Sequence, residues 1–189
     1  MPGGDPLLVL GLGNVIYQDD GAGVVAVVRL LDGYRPGTGV RVLDGGTLGL
    51  ALLPTLEAAD AAILVDAIRT EQPPGTLVRL EGEEVADAAV ERLSVHQVGV
   101  SDLLGAARWQ GSLPRRLVLL GVVPERLDLG LERSPAVEAA LPGLVEAVRR
   151  ECAALGFPFL PRQPDEAAGA LGLGGDGIDR LPGVRQELR

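Results

Sequence analysis

Three apolar runs constrain this chain most: LLVLGLG at Leu7–Gly13, AAILVDAI at Ala61–Ile68 and RRLVLLGVV at Arg115–Val123. Each has the length of a strand and lacks polar alternation, so both of its faces must be covered, as in a parallel sheet. Segments with helical spacing lie between them. GAGVVAVVRLLDG (Gly21–Gly33) reads as a helix with a glycine stop, and GLALLPTLEAAD (Gly49–Asp60) as a helix interrupted or started late by Pro54. VRVLDGG (Val40–Gly46) reads as a further strand, and GTLVRLEG (Gly75–Gly82) alternates as an edge strand does. Val100–Trp109 is helical, and Ser134–Leu155 is a long helix with Ser134 as N-cap and Pro135 after it. This order predicts an α/β fold: a single three-layer αβα domain with a mostly parallel, mixed central sheet of about five strands. The 189 residues suit one domain, placed at 1–160. Over 161–189 glycine, proline and charge replace periodicity, which predicts a flexible C-terminal tail.

Charge narrows the function classes. The chain has 26 acids against 17 bases and a net charge of −9; every base is an arginine. Such a chain repels phosphate backbones and anionic membrane surfaces, so neither nucleic-acid binding nor membrane docking is expected. The single cysteine, Cys152, excludes an intrachain disulfide and a cysteine-rich metal site. Within AVRRECAALG it reads as a small buried hydrophobe. There is no basic-then-apolar leader and no membrane-spanning run, so a reducing, cytoplasmic setting is expected.

The segment after the first strand, GLGNVIYQDDGAGV (Gly11–Val24), is rich in glycine yet carries adjacent acids, Asp19 and Asp20. A dinucleotide fingerprint would need a third glycine where Ile16 stands, and the two acids would face a pyrophosphate. A P-loop needs a lysine, and the chain has none.

Open α/β sheets bind ligands beyond the carboxyl ends of their strands. The residues expected there are Asn14, Asp19 and Asp20 after the first strand, Asp44 at the end of the second and Asp66 at the end of the third. Asp66 follows four apolar residues that must be deeply packed. Asp44 sits in DGGT, which is also good turn chemistry. The only histidine, His96, lies in ERLSVHQVGVSDLL, in a loop or the first turn of the following helix. Two carboxylates and an imidazole converging there would make an oxygen/nitrogen site for a borderline divalent ion such as nickel or zinc. Ser94 and Ser101 lack a nucleophile elbow, and Cys152 has no histidine near it in sequence, so covalent catalysis is not supported.

These segments resemble the hydrogenase maturation endopeptidases, which trim the C-terminal extension from the large subunit of [NiFe] hydrogenases. GLGNVIYQDDGAGV is similar to that family's Gly-x-Gly-Asn-x-x-x-x-Asp-Glu/Asp-Gly-x-Gly motif. LDGGT (Leu43–Thr47), VDAI (Val65–Ile68), SVHQVGVSDLL (Ser94–Leu104) and GVVPE (Gly121–Glu125) match further motifs in the family's order. The likeness runs from about Leu7 to Gly156.

The resemblance implies metal-site residues at Asp20, Asp66 and His96. Asp20 stands where many members have glutamate, one methylene longer. The implied metal is nickel borne by the substrate, the large-subunit precursor, although another divalent ion can occupy the site in the free protein. Processing follows metal insertion, so the protease checks loading. Asp44 is implied to orient a ligand or accept a proton, and Asn14 and Gly46 to shape the cleft. The alternative is a metal-dependent scaffold or chaperone that binds the large subunit without cutting. A conventional zinc hydrolase is disfavoured, because His-Glu-x-x-His is missing and there is one histidine. Substrate specificity is expected in the loops Gly33–Gly39, Thr70–Gly75 and Gln110–Leu113.

Overall fold

The computed structural model describes residues 6–85, 87 and 98–163. His96 and the segment from 164 to 189, most of the expected tail, lie outside the described residues.

Five strands form the main sheet, in the order β3-β1-β4-β6-β5. They are β1 (Leu7–Leu12), β3 (Val40–Gly46), β4 (Ala61–Ala67), β5 (Leu77–Glu81) and β6 (Arg116–Val122). Strands β1, β3, β4 and β6 are parallel, and β5 runs antiparallel along one edge. Burial follows from position. Every residue of β1 and β4 is buried, as is all of β6 except Arg116, whereas edge strands β3 and β5 are partly exposed. The runs without alternation are therefore the three central strands.

Helices cover both faces. One is packed by α1 (Ala22–Gly33) and α4 (Pro135–Ala154), which close over Leu7, Val9, Ile63, Val65 and Val118. The other is packed by a 3-10 turn (Gly49–Leu52), α2 (Leu53–Glu57) and α3 (Val98–Gln110), over Leu8, Leu10, Leu12 and Leu64. This confirms the three-layer α/β reading. Pro54 starts α2 late, because a first-turn proline needs no amide partner there. Ser134 caps α4 by accepting from Val137 N at 3.3 Å.

A short pair, β2 (Tyr34–Arg35) with β7 (Leu160–Pro161), was not anticipated. Two residues carry no periodicity, so only tertiary pairing reveals them. Cys152 is fully buried, and burial, with the Glu151 carboxylate adding, pushes its thiol up to about 12. It stays protonated and packs as the small hydrophobe expected.

Edge strand β5 is tied to α4 by Arg79, whose guanidinium donates to both Glu151 oxygens at 2.8 and 2.9 Å. That contact holds the Glu151 carboxyl below its ordinary 4.5. A depressed folded value means the stabilisation is complete above pH 4.5 and fades as pH falls through the depressed value. Glu151→Gln is expected to cost about 1 kcal/mol at pH 7, given the partial exposure of the pair. In urea melts, the gap between variant and parent should close below pH 4.5; a constant gap would refute the assignment.

Candidate active site

The order β3-β1-β4 places consecutive strands on opposite sides of β1, which opens a crevice beyond the carboxyl ends of β1 and β4. The glycine-rich segment follows β1 and forms one wall. The end of β4, with Asp66 as its penultimate residue, forms the other.

The glycines bring the two walls together. A Cβ on Gly23, near the start of α1, would lie 2.0 Å from the Val65 carbonyl oxygen and 2.5 Å from that of Leu12. A side chain there would force α1 off the sheet. Gly13, at φ +115°, turns the chain so tightly that a Cβ would lie 1.8 Å from the Asp20 carbonyl oxygen. The first helical turns therefore sit directly on the ends of β1 and β4, which places Asp20 and Asp66 at neighbouring strand ends. The acids suit this place, since the start of a helix favours negative charge. A glycine loop carrying acids is thus built for close packing and not for phosphate.

Both carboxylates are buried: Asp20 is 1% exposed and Asp66 0%. Asp20 Oδ2 accepts from Asn14 N at 2.9 Å, and Asp66 Oδ1 from Ala67 N at 2.7 Å, which fixes each side chain. Asp66 shares its parity along β4 with Ala62 and Leu64, so it leaves the sheet on the face covered by α2 and α3. Helix α3 begins at Val98, two residues after His96 in sequence. Among the described residues, no three histidine, cysteine, aspartate or glutamate side chains form a metal-holding group. Two candidate ligands of the expected three fall within those residues.

Asp44 is placed differently. It shares its parity with Val42, on the α1 face, and its Oδ1 accepts from Gly46 N at 3.0 Å, where Gly46 has φ +45°. Its visible role is the turn that ends β3. Asn14 shapes the turn after β1, with its Oδ1 accepting from Ile16 N at 3.2 Å.

Asp19 has a role that sequence reasoning missed. It is fully buried, and its Oδ2 accepts from Glu125 N and Arg126 N, both at 2.8 Å. Its Oδ1 accepts from Ser134 N at 2.6 Å. Three backbone donors offset the burial of the charge and clamp the loop after β6 beside the crevice. Asp19→Asn turns an amide against Ser134 N and leaves that donor unmet, at a cost of about 2 kcal/mol. Calorimetry should show a lowered melting temperature; an unchanged one would contradict the clamp.

Comparison with known proteins agrees with this architecture. The family model described as hydrogenase maturation protease matches residues 25–151. The hydrogenase 2 maturation protease of Escherichia coli K12 is 37% identical over 158 residues, covering 83% of this chain and 96% of that protein. The hydrogenase expression/formation protein HupD of Rhodobacter capsulatus is 42% identical over 146 residues, covering 76% of this chain and 70% of its own length. The solved structure of the hydrogenase maturating endopeptidase HybD from E. coli superposes with a TM-score of 0.78 at 38% identity, covering 82% of this chain and 97% of that one. Sequence motifs, sheet order and these relatives agree: the chain belongs to the hydrogenase maturation protease family.

Proposed function

We propose that the chain is an endopeptidase that removes the C-terminal extension of a [NiFe] hydrogenase large-subunit precursor once that precursor carries nickel. The observation that carries this reading is the pair of buried carboxylates, Asp20 after β1 and Asp66 near the end of β4, at the carboxyl ends of neighbouring strands at the switch point. Carboxylate oxygens with a histidine nitrogen form a donor set suited to a borderline divalent ion. Asp20, Asp66 and His96 would supply outer ligands to the substrate's cysteine-bound nickel.

The chemistry is hydrolysis of a peptide bond: water oxygen adds to the scissile carbonyl carbon, the C–N bond breaks, and the leaving amine takes a proton. Nickel would polarise that carbonyl or activate the water. Asn14 N and Ala67 N each hold one oxygen of these carboxylates and so orient the side chains that would ligate the metal. Asp44 acts at one remove, by holding the end of β3 against the cleft. A cytoplasmic setting fits the single buried thiol, and no helix among the described residues is long and apolar enough to cross a membrane.

The test is intact-mass measurement after incubating the purified protein with nickel-loaded and with nickel-free precursor. Shortening of the loaded form alone is expected. Equal cleavage of both would overturn the nickel requirement, and binding without cleavage would establish a scaffold instead.

A further inference from the structure

Three large apolar side chains stand exposed on the segments that follow β1 and β6. Leu129 is 75% exposed, Leu131 66% and Ile16 44%. The two leucines belong to the loop after β6, and Ile16 to the glycine-rich segment. The two segments are joined through Gly130, whose N–H donates to Ile16 O at 2.9 Å while its carbonyl accepts from Gln18 N at 2.9 Å. Asp19 clamps the same loop at Glu125, Arg126 and Ser134. The ridge is therefore held in place before anything binds, which lowers the entropy lost on binding.

The ridge is also registered on the candidate active site. Gly130 N binds Ile16 O, Ile16 N binds Asn14 Oδ1, and Asn14 N binds Asp20 Oδ2. Three successive hydrogen bonds link the exposed leucines to a proposed nickel ligand. A chain segment lying on the ridge would be held at a set distance from Asp20.

We infer that Ile16, Leu129 and Leu131 are the docking ridge for the precursor's own polypeptide next to the scissile bond, and that they help set which precursors are cut. This rests on the endopeptidase reading above. The occupant follows from continuity with the crevice, since an endopeptidase must hold chain flanking the bond it cuts. Charge points the same way. Around the leucines, Glu125, Asp128 and Glu132 stand against Arg126 and Arg133, and Arg133 is paired with Glu138, so the rim does not favour an anionic ligand. An apolar centre with a mixed polar rim is how protein surfaces recognise apolar side chains.

The experiment compares Leu129→Ser/Leu131→Ser with the parent chain on nickel-loaded precursor. KM should rise at least tenfold with kcat within about twofold and an unchanged melting temperature, because exposed leucines add little to the fold. Leu129→Met/Leu131→Met should restore KM, since apolar contact is what is recognised. Trp109→Ser, at the far end of α3 and 87% exposed, should leave KM unchanged. An unaltered KM in the serine variant, no rescue by methionine, or a rise that merely follows a lowered melting temperature would overturn the ridge while leaving the protease reading intact. Failure of the parent chain to cleave any precursor would instead overturn the reading on which the ridge rests.

Discussion

Asp66→Asn is expected to reduce processing of nickel-loaded precursor by about a thousandfold or more, with the fold intact. A metal acting as Lewis acid supplies several kcal/mol of transition-state stabilisation, and each 1.4 kcal/mol is a factor of ten. The substitution keeps the size of the side chain and one oxygen to accept from Ala67 N, so packing at the end of β4 is preserved. It removes a negative charge from a position with no solvent exposure, which relieves a desolvation cost. The melting temperature should therefore hold or rise while activity collapses. Asp44→Asn is the contrast, because the turn bond to Gly46 N survives and processing should fall less than tenfold. Single-turnover cleavage with parallel calorimetry separates the two. Near-normal processing by Asp66→Asn would remove Asp66 from the proposed ligand set.

Gly23→Ala is expected to destabilise the protein by at least about 3 kcal/mol, through the close approach of α1 to the sheet. A methyl there meets two backbone carbonyl oxygens, of Val65 and Leu12, inside normal contact distance. Backbone cannot rotate aside as a flexible side chain can, so the helix must lift from the strands. For a domain of this size, that corresponds to a fall in melting temperature of roughly 6–12 °C. Gly105→Ala makes the same chemical change within α3, where nothing lies within 4 Å of the new methyl. It should stabilise by about 0.5–1 kcal/mol, because alanine is the better helix former. Opposite signs for one substitution type test the contact geometry without reference to activity. Equal effects would show that the glycine motif serves some purpose other than close packing.

Much of the architecture was legible because central parallel strands must be apolar on both faces. LLVL, AAILV and LVLL announce such strands without tertiary information, and β3, the late start of α2 at Pro54 and the Ser134 cap follow from local chemistry. The carboxyl-edge rule then located Asp20 and Asp66. Loops were harder to place. Gly33–Gly39 and Gln110–Leu113 lead into the starts of β3 and β6, so they lie at the edge opposite the crevice. Only Thr70–Gly75, between β4 and β5, lies at the carboxyl edge among the three loops expected to carry specificity. The loop after β6, absent from that group, is the one pinned beside Asp20.

Asp19 escaped notice for a related reason. An Asp-Asp doublet does not reveal which acid faces a ligand and which binds backbone more than a hundred residues away. The matching signal was GVVPE, a second motif at a strand end with no ligand of its own. Two loops meeting at the same edge need a bond between them, and a buried carboxylate with three amide donors supplies it.

In the proposed mechanism, side chains of this protein enter the coordination shell of the substrate's nickel. Nickel-edge X-ray absorption of loaded precursor, alone and rapidly frozen with the protease, measures that directly. The prediction is a sulfur-dominated shell that gains nitrogen and oxygen scatterers on mixing, and does not gain them with a variant combining Asp66→Asn and Asp20→Asn. A spectrum unchanged by the parent protein, in a sample that goes on to be cleaved, would contradict direct ligation.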